Sequence, residues 1–244
     1  MKKTFFLFFG LLLIFAAEAQ IPSYSHKKEE FNLKGKIKSV EQHCYEAVYN
    51  NGKYEKGECV SGYDNDVHNL IYEFDEAGNL LHLKRLRPNG TLGLNVAYLY
   101  EEGDLSRIVW DPQTTYVFKY NDHGKIAEKT HYIRGNVFDV TRYSYDDLGR
   151  LSKEARKKYN MAWTFFYNDL GQLTQKIYKS DVKVTSDYVY DTDGFLRQLI
   201  DNGKIRYEYS MVEKDEIGNW NRLILKSVVS DAYFLLERQI EYYD

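Results

Sequence analysis

Proline is nearly absent from this sequence, at 3 of 244 residues; there are only 2 cysteines, and neither sign of charge dominates, with 33 lysines and arginines against 36 carboxylates. So little proline leaves long stretches able to donate every backbone N–H to a ladder, as a sheet requires. Two cysteines are too few for a disulfide framework, and neither sits in a Cys-x-x-Cys spacing that would hold zinc. A formal net charge of −3 provides no basic stripe, which excludes nucleic acid as the main partner. The histidines, His26, His43, His68, His82, His123 and His131, are scattered, with no His-Glu-x-x-His or His-x-His spacing. They read as solvated or locally bonded side chains, and no metal or cofactor is expected. Gly-x-Ser-x-Gly and phosphate-cradling glycine loops are also missing, so nucleophilic catalysis and nucleotide binding have no support.

Long apolar runs are confined to the N-terminus. After Met1-Lys2-Lys3 the run from Phe5 to Ala17 ends in Ala17-Glu18-Ala19, the pattern of a secretory signal over residues 1–19 with cleavage before Gln20. Its 13 residues fall short of the roughly 20 that span a bilayer. No cysteine follows to carry a lipid anchor. With no second run, the chain is expected to be exported, periplasmic or extracellular, and not membrane-integrated. Residues 20–30, polar and mixed in charge, read as a mobile leader.

Aromatic residues are plentiful, 23 tyrosines among them, and they recur in a pattern. Tyr143-x-Tyr145-Asp146-x-x-Gly149-x-Leu151 is one copy. Others are Tyr72-x-Phe74-Asp75-x-x-Gly78-x-Leu80, Phe118-x-Tyr120-Asn121-x-x-Gly124-x-Ile126, Phe165-x-Tyr167-Asn168-x-x-Gly171-x-Leu173 and Tyr188-x-Tyr190-Asp191-x-x-Gly194-x-Leu196. Weaker copies centre on Gly103 and Gly218. Glycine spacings of 21 to 25 are a repeat period. Aromatics two apart share a strand face, Asp or Asn opens a turn, and glycine closes it at φ > 0. Asp75, Asn121, Asp146, Asn168 and Asp191 with Gly78, Gly103, Gly124, Gly149, Gly171, Gly194 and Gly218 are therefore expected to build the turns. One period holds a hairpin. The expected fold is all-β, an antiparallel meander of about seven hairpin repeats in one curled or spiralling sheet, a half-pipe or partly closed barrel. It spans residues 31–244 as a single domain: a first hairpin over 35–63, repeats over 72–220 and a C-terminal cap over 221–244.

The first hairpin carries both cysteines. With Asn51-Gly52 as a two-residue turn, paired positions sum to 103, so Cys44 faces Cys59. That register and an oxidising compartment point to a Cys44–Cys59 disulfide.

The Tyr-Asp-x-x-Gly-x-Leu core, as in Tyr145 to Leu151, resembles the YD repeat of Rhs-type proteins over about Tyr72 to Trp220. The resemblance implies spiralling antiparallel sheets, and in some members binding of carbohydrate or heparin. The large shells of that family need many more repeats, so a cargo role is not implied. Asp191-Thr192-Asp193-Gly194 opens like a calcium loop, but the rest of an EF-hand is missing, and it reads as a repeat turn. The motif aspartates have turn roles, which leaves glycoside hydrolysis a minor alternative. Motif aromatics read as core. Tyr116, Tyr132, Tyr159, Trp163 and Tyr178, outside the motif, are the candidates for stacking on a ligand. The expected function is non-catalytic binding or scaffolding, with polysaccharide or another envelope component as partner. The alternative is an accessory of a larger Rhs-type secretion or toxin assembly, docking through a free sheet edge.

Overall fold

A computed structural model describes residues 25–60 and 68–244. The expected signal segment lies outside the described residues. Seventeen strands follow a short 3-10 helix, Lys28–Phe31: β1 (Ile37–Asn50), β2 (Lys53–Cys59), β3 (Asn69–Phe74), β4 (Leu80–Leu86), β5 (Leu92–Glu101), β6 (Asp104–Asp111), β7 (Thr114–Tyr120), β8 (Ile126–Ile133) and β9 (Asn136–Tyr145) form the first half. The second half comprises β10 (Leu151–Arg156), β11 (Met161–Tyr167), β12 (Leu173–Lys179), β13 (Lys183–Tyr190), β14 (Leu196–Asp201), β15 (Lys204–Lys214), β16 (Trp220–Ser227) and β17 (Ala232–Tyr242).

From β3 to β17 each strand pairs antiparallel with the next, and the ends meet on β1. One edge of β1 pairs with β17, from Ile37↔Tyr242 to Glu46↔Phe234. Its other edge serves two strands end to end, β3 against Ser39–Gln42 and β2 against Tyr45–Asn50. Because β2 and β3 share one position, seventeen strands make a closed antiparallel barrel of 16. The expectation of an open or partly closed sheet is corrected here. Closure removes both free edges, and the expected C-terminal cap contains β17, the strand that completes the ring.

A single-layer ring covers chiefly its inner face, so most buried positions point inward; Ile224 and Leu235, paired on the outward face, are exceptions. In β3 the inward residues are Leu70, Tyr72 and Phe74; in β15 and β16 they include Tyr207, Tyr209, Leu223 and Leu225. The inward side chains form two apolar clusters, one centred on β3 to β10 and one on β11 to β17. Leu80, Leu105, Leu223 and Leu225 are 0% exposed, and burying each contributes about 1.5–3 kcal/mol. The segment expected as a mobile leader is partly built into this core. Ser25 and His26 are buried, Leu80 N–H donates to the His26 carbonyl at 2.6 Å and Lys28 N–H to the Gly78 carbonyl at 2.9 Å; just past that segment Phe31 is buried with its ring 5.3 Å from Tyr72 and 5.8 Å from Phe74.

Each repeat is tied to the one before it by a tyrosine hydroxyl. Tyr100, Tyr120, Tyr145, Tyr167 and Tyr190 donate to the carbonyls of Leu80, Leu105, Ile126, Leu151 and Leu173, at 2.7 to 3.0 Å. Each acceptor is the apolar residue after the preceding glycine. At the seam, Tyr243 donates to the Phe74 carbonyl at 2.7 Å.

The turns explain why the motif needs its Asp and Gly. Asp146 Oδ1 accepts from the N–H groups of Leu148 and Arg150 at 3.1 and 2.8 Å, and Gly149, at φ +75°, donates to the Asp146 carbonyl at 2.9 Å. Asn168 and Asp191 accept from the same two positions of their own turns.

The expected disulfide is corrected. Asn50↔Lys53 through Ala47↔Lys56 keep the two-residue-turn register, but a bulge follows and the next pair is Tyr45↔Cys59. A shift of one residue exchanges the faces, so Cys59 shares the outward face of Tyr45 while Cys44 points inward, 0% exposed. Both cysteines are free. Gly57 marks the bulge: a Cβ there would lie 2.9 Å from the Glu46 carbonyl oxygen.

Candidate functional site

Closure divides the surface into an interior, an outer wall and two rims, and chemistry-bearing side chains occupy each differently. Most of the interior is apolar. One exception is Arg238, which donates to Gln42 Oε1 at 3.0 Å between β17 and β1; the larger one lies on β8 to β10, where cross-strand register gathers inward polar groups: Lys129↔Thr141, His131↔Asp139 and Glu154↔Tyr143. Arg156 Nε donates to Asp139 Oδ2 at 2.6 Å, with the Asp139 side chain 1% exposed. His131 stacks on Tyr116 at 4.5 Å between centroids. The Lys129 ammonium lies 5.6 Å from the Tyr116 ring centroid and 6.0 Å from that of Tyr143.

Burial pulls the Lys129 ammonium below its usual range, and the Glu154 carboxylate opposes this. Burial, then the Arg156 and Lys129 cations, lowers the His131 imidazole. Asp139 Oδ1 and His131 Nε2 are buried without a hydrogen-bond partner among the described residues, a cost of about 1–3 kcal/mol per group. The patch balances two carboxylates against two cations around a histidine held toward its neutral form. Among the described residues no group of three or more His, Cys, Asp or Glu could hold a metal.

Four of the five aromatics expected to stack on a ligand lie around this patch. Trp163 pairs with Glu154 and sits 5.3 Å from Tyr178, Tyr116 stacks on His131, and Arg156 lies 5.0 Å from the Tyr159 ring centroid. Tyr132 pairs with Thr115 and Val137, one step out of phase with inward His131, and so takes the outward face. Of the histidines, His26 and His68 are buried rather than solvated. Sequence reasoning missed Lys129, Asp139, Glu154 and Arg156, which no local motif marks.

The outer wall is built from cross-strand ion pairs. Lys84 pairs with Glu73, Arg142 and Lys119 both reach Glu128 at 3.5 Å, and Lys226 meets Glu208 at 3.0 Å. A groove of about 490 Å³ on this wall is lined by Tyr54, Arg197, Glu208, Lys226 and Tyr233.

Among solved structures the fold has a clear likeness. It is similar to that of a porin-like protein from Bacteroides uniformis. The two share 13% identity and a TM-score of 0.58, over 86% of this chain and 99% of that one. A porin-like protein from Bacteroides vulgatus matches at TM-score 0.32 and 9% identity over 86% and 99%. A TcdB2-TccC3-Cdc42 complex matches at 0.30 and 11% over 66% of this chain and 11% of that one. No family model matches the chain, and no curated protein matches it.

The end-to-end likeness to a porin-like barrel overturns the reading as an Rhs-type repeat protein. The Tyr-Asp-x-x-Gly-x-Leu motif specifies a strand, a turn and a return strand, and these serve a closed ring as well as a spiral. The expected roles in polysaccharide binding or a toxin assembly fall with that reading, and the pairing of β1 with β17 closes the end of the meander on which the docking envisaged relied. The expectation that the chain is not membrane-integrated rested on the lack of a second apolar run, and likeness to a porin-like barrel removes that ground. No helix among the described residues is long and apolar enough to cross a membrane, but barrels cross with strands, so that absence does not bear on the question.

Proposed function

We propose that this chain is a non-enzymatic, porin-like barrel protein that works at the outer membrane. The observation that carries this reading is the closed antiparallel ring of 16, matched over nearly the whole length of a porin-like protein. The basic-apolar-small pattern of residues 1–19 supports export.

The distribution of side chains governs how such a barrel meets lipid. A Lys or Arg on a lipid-facing wall costs about 2–4 kcal/mol at the bilayer midplane and about 0–1 near the interfaces. The rows holding Lys84, Lys119, Arg142 and Lys226 are ion-paired outward rows. These rows belong in water, and contact with lipid falls to an end of the barrel.

Fractionation of a Gram-negative host expressing the full chain with its own N-terminus tests the reading. The expected result is recovery in the outer-membrane fraction. Recovery wholly in the soluble periplasmic or cytoplasmic fraction would overturn it.

A further inference from the structure

Antiparallel hairpins alternate their turns between the ends of the barrel, and the two rims differ in charge. Seven turns lie at the rim where β1 begins. Counted with the strand residue on either side, they carry thirteen carboxylates and three lysines or arginines. The same count over the eight turns of the opposite rim gives nine lysines and arginines and four carboxylates. A chain with a formal net charge of −3 therefore has one strongly acidic end and one basic end.

On the basic rim all of those cations except Arg156 are exposed, among them Arg87, Arg134, Lys157, Lys158 and Lys183. Apolar side chains project between them: Tyr49 is 66% exposed, Leu92 53%, Val137 59%, Val182 59% and Val229 81%. The acidic rim also has apolar tips, Leu148 at 76% and Leu170 at 83%, but they stand among carboxylates. Charge distinguishes the two ends.

We propose that the basic rim is a docking surface for an anionic lipid bilayer, a surface that deepens and rests on the outer-membrane reading above. The partner follows from the chemistry. A ring of cations interleaved with short apolar tips matches an interface with phosphate headgroups outside and hydrocarbon a few ångströms below. A bare polyanion would meet the cations and leave Val182, Val229 and Leu92 in water. The acidic rim would be repelled by the same surface, so the barrel has one way to stand.

Co-sedimentation of the purified chain with vesicles tests this. Neutral phosphatidylcholine vesicles are compared with vesicles in which about a third of the lipid is phosphatidylglycerol. Binding is expected to the anionic vesicles and to weaken steeply as salt is raised. Lys157→Ser with Lys158→Ser is expected to weaken it about thirtyfold, and Val182→Ser with Val229→Ser to weaken it as well. Leu148→Ser with Leu170→Ser, at the acidic rim, is the control and is expected to bind as the parent does, all variants being checked for an unchanged melting temperature.

Failure to bind anionic vesicles, equal binding to neutral ones, or equal loss in the acidic-rim control would overturn the docking surface. Such a result alongside recovery in the outer-membrane fraction overturns the rim alone. Vesicle binding without outer-membrane recovery overturns the wider reading and leaves the rim standing.

Discussion

If the tyrosine hydroxyls join the repeats, removing one should cost a full hydrogen bond. Tyr145→Phe takes away only the hydroxyl that donates to the Ile126 carbonyl at 2.7 Å, and the ring keeps its packing. Ile126 is 3% exposed, so water has little access to the abandoned carbonyl. The expected loss is about 1 kcal/mol, toward 2 if the carbonyl finds no substitute. For a chain of this size 1 kcal/mol corresponds to a melting shift of about 2–4 °C. Tyr100, Tyr120, Tyr167 and Tyr190 make the same bond to the preceding repeat. Sites with no shared partner add, so five Tyr→Phe changes together are expected to remove about 5 kcal/mol, comparable with the whole stability of a typical domain. Urea titration of the single variants and the quintuple variant measures this through the midpoint at constant slope. Single variants within about 0.3 kcal/mol of the parent, or a quintuple variant that still melts with it, would refute the idea that these bonds hold the ring.

Other predictions concern single positions. Gly149→Val puts a β-branched residue at φ +75° and is expected to cost about 1–3 kcal/mol, read as a lower melting temperature, with Gly149→Asn much milder. Non-reducing mass analysis should find both thiols free, and a thiol reagent should label Cys59 well before Cys44, which is 0% exposed and whose thiol burial, with Cys59 nearby, pushes far above the usual range. Burial, with Arg85 nearby, lowers the His68 imidazole from 6.5 to about 4. The unfolded chain then binds more protons than the folded one in that window, so stability is full above pH 6.5 and falls by about 3 kcal/mol as the pH drops to about 4. His68→Gln should flatten the urea midpoint over that range.

The hairpins, their period and their turn residues were legible because each is local. Asp146 to Leu151 contains everything its turn requires, and Tyr143 and Tyr145 two apart declare a strand. Closure was not legible. It depends on β1 pairing with β17, from Ile37↔Tyr242 onward, and no local pattern states which distant strand an edge will find. The disulfide error has a more instructive cause. Counting outward from Asn51-Gly52 was right for four pairs and failed at the bulge. The signal was present, since a glycine inside a strand marks a bulge or a close backbone approach, and Gly57 lies against the Glu46 carbonyl.

The interior polar patch was hidden for a related reason. Alternation gives each residue a face only while the strand stays in phase, and most pairings here contain a shift. Between β8 and β9 the register shifts after His131↔Asp139, so Tyr132 opposes Val137 and Phe138 is left over. Tyr132 faces out because it follows inward His131 on β8, whereas Tyr116 lies opposite His131 and faces in. From sequence, Tyr116 and Tyr132 are equivalent aromatics outside the motif. The faces of Lys129, Glu154 and Arg156 follow only from a register carried across β7, β8, β9 and β10 in turn, and an error at any step would place their charges on the wall. What composition does constrain is the count. With this many lysines, arginines and carboxylates in a single-layer ring, most must face water, and the few turned inward must be paired, as Arg156 is with Asp139.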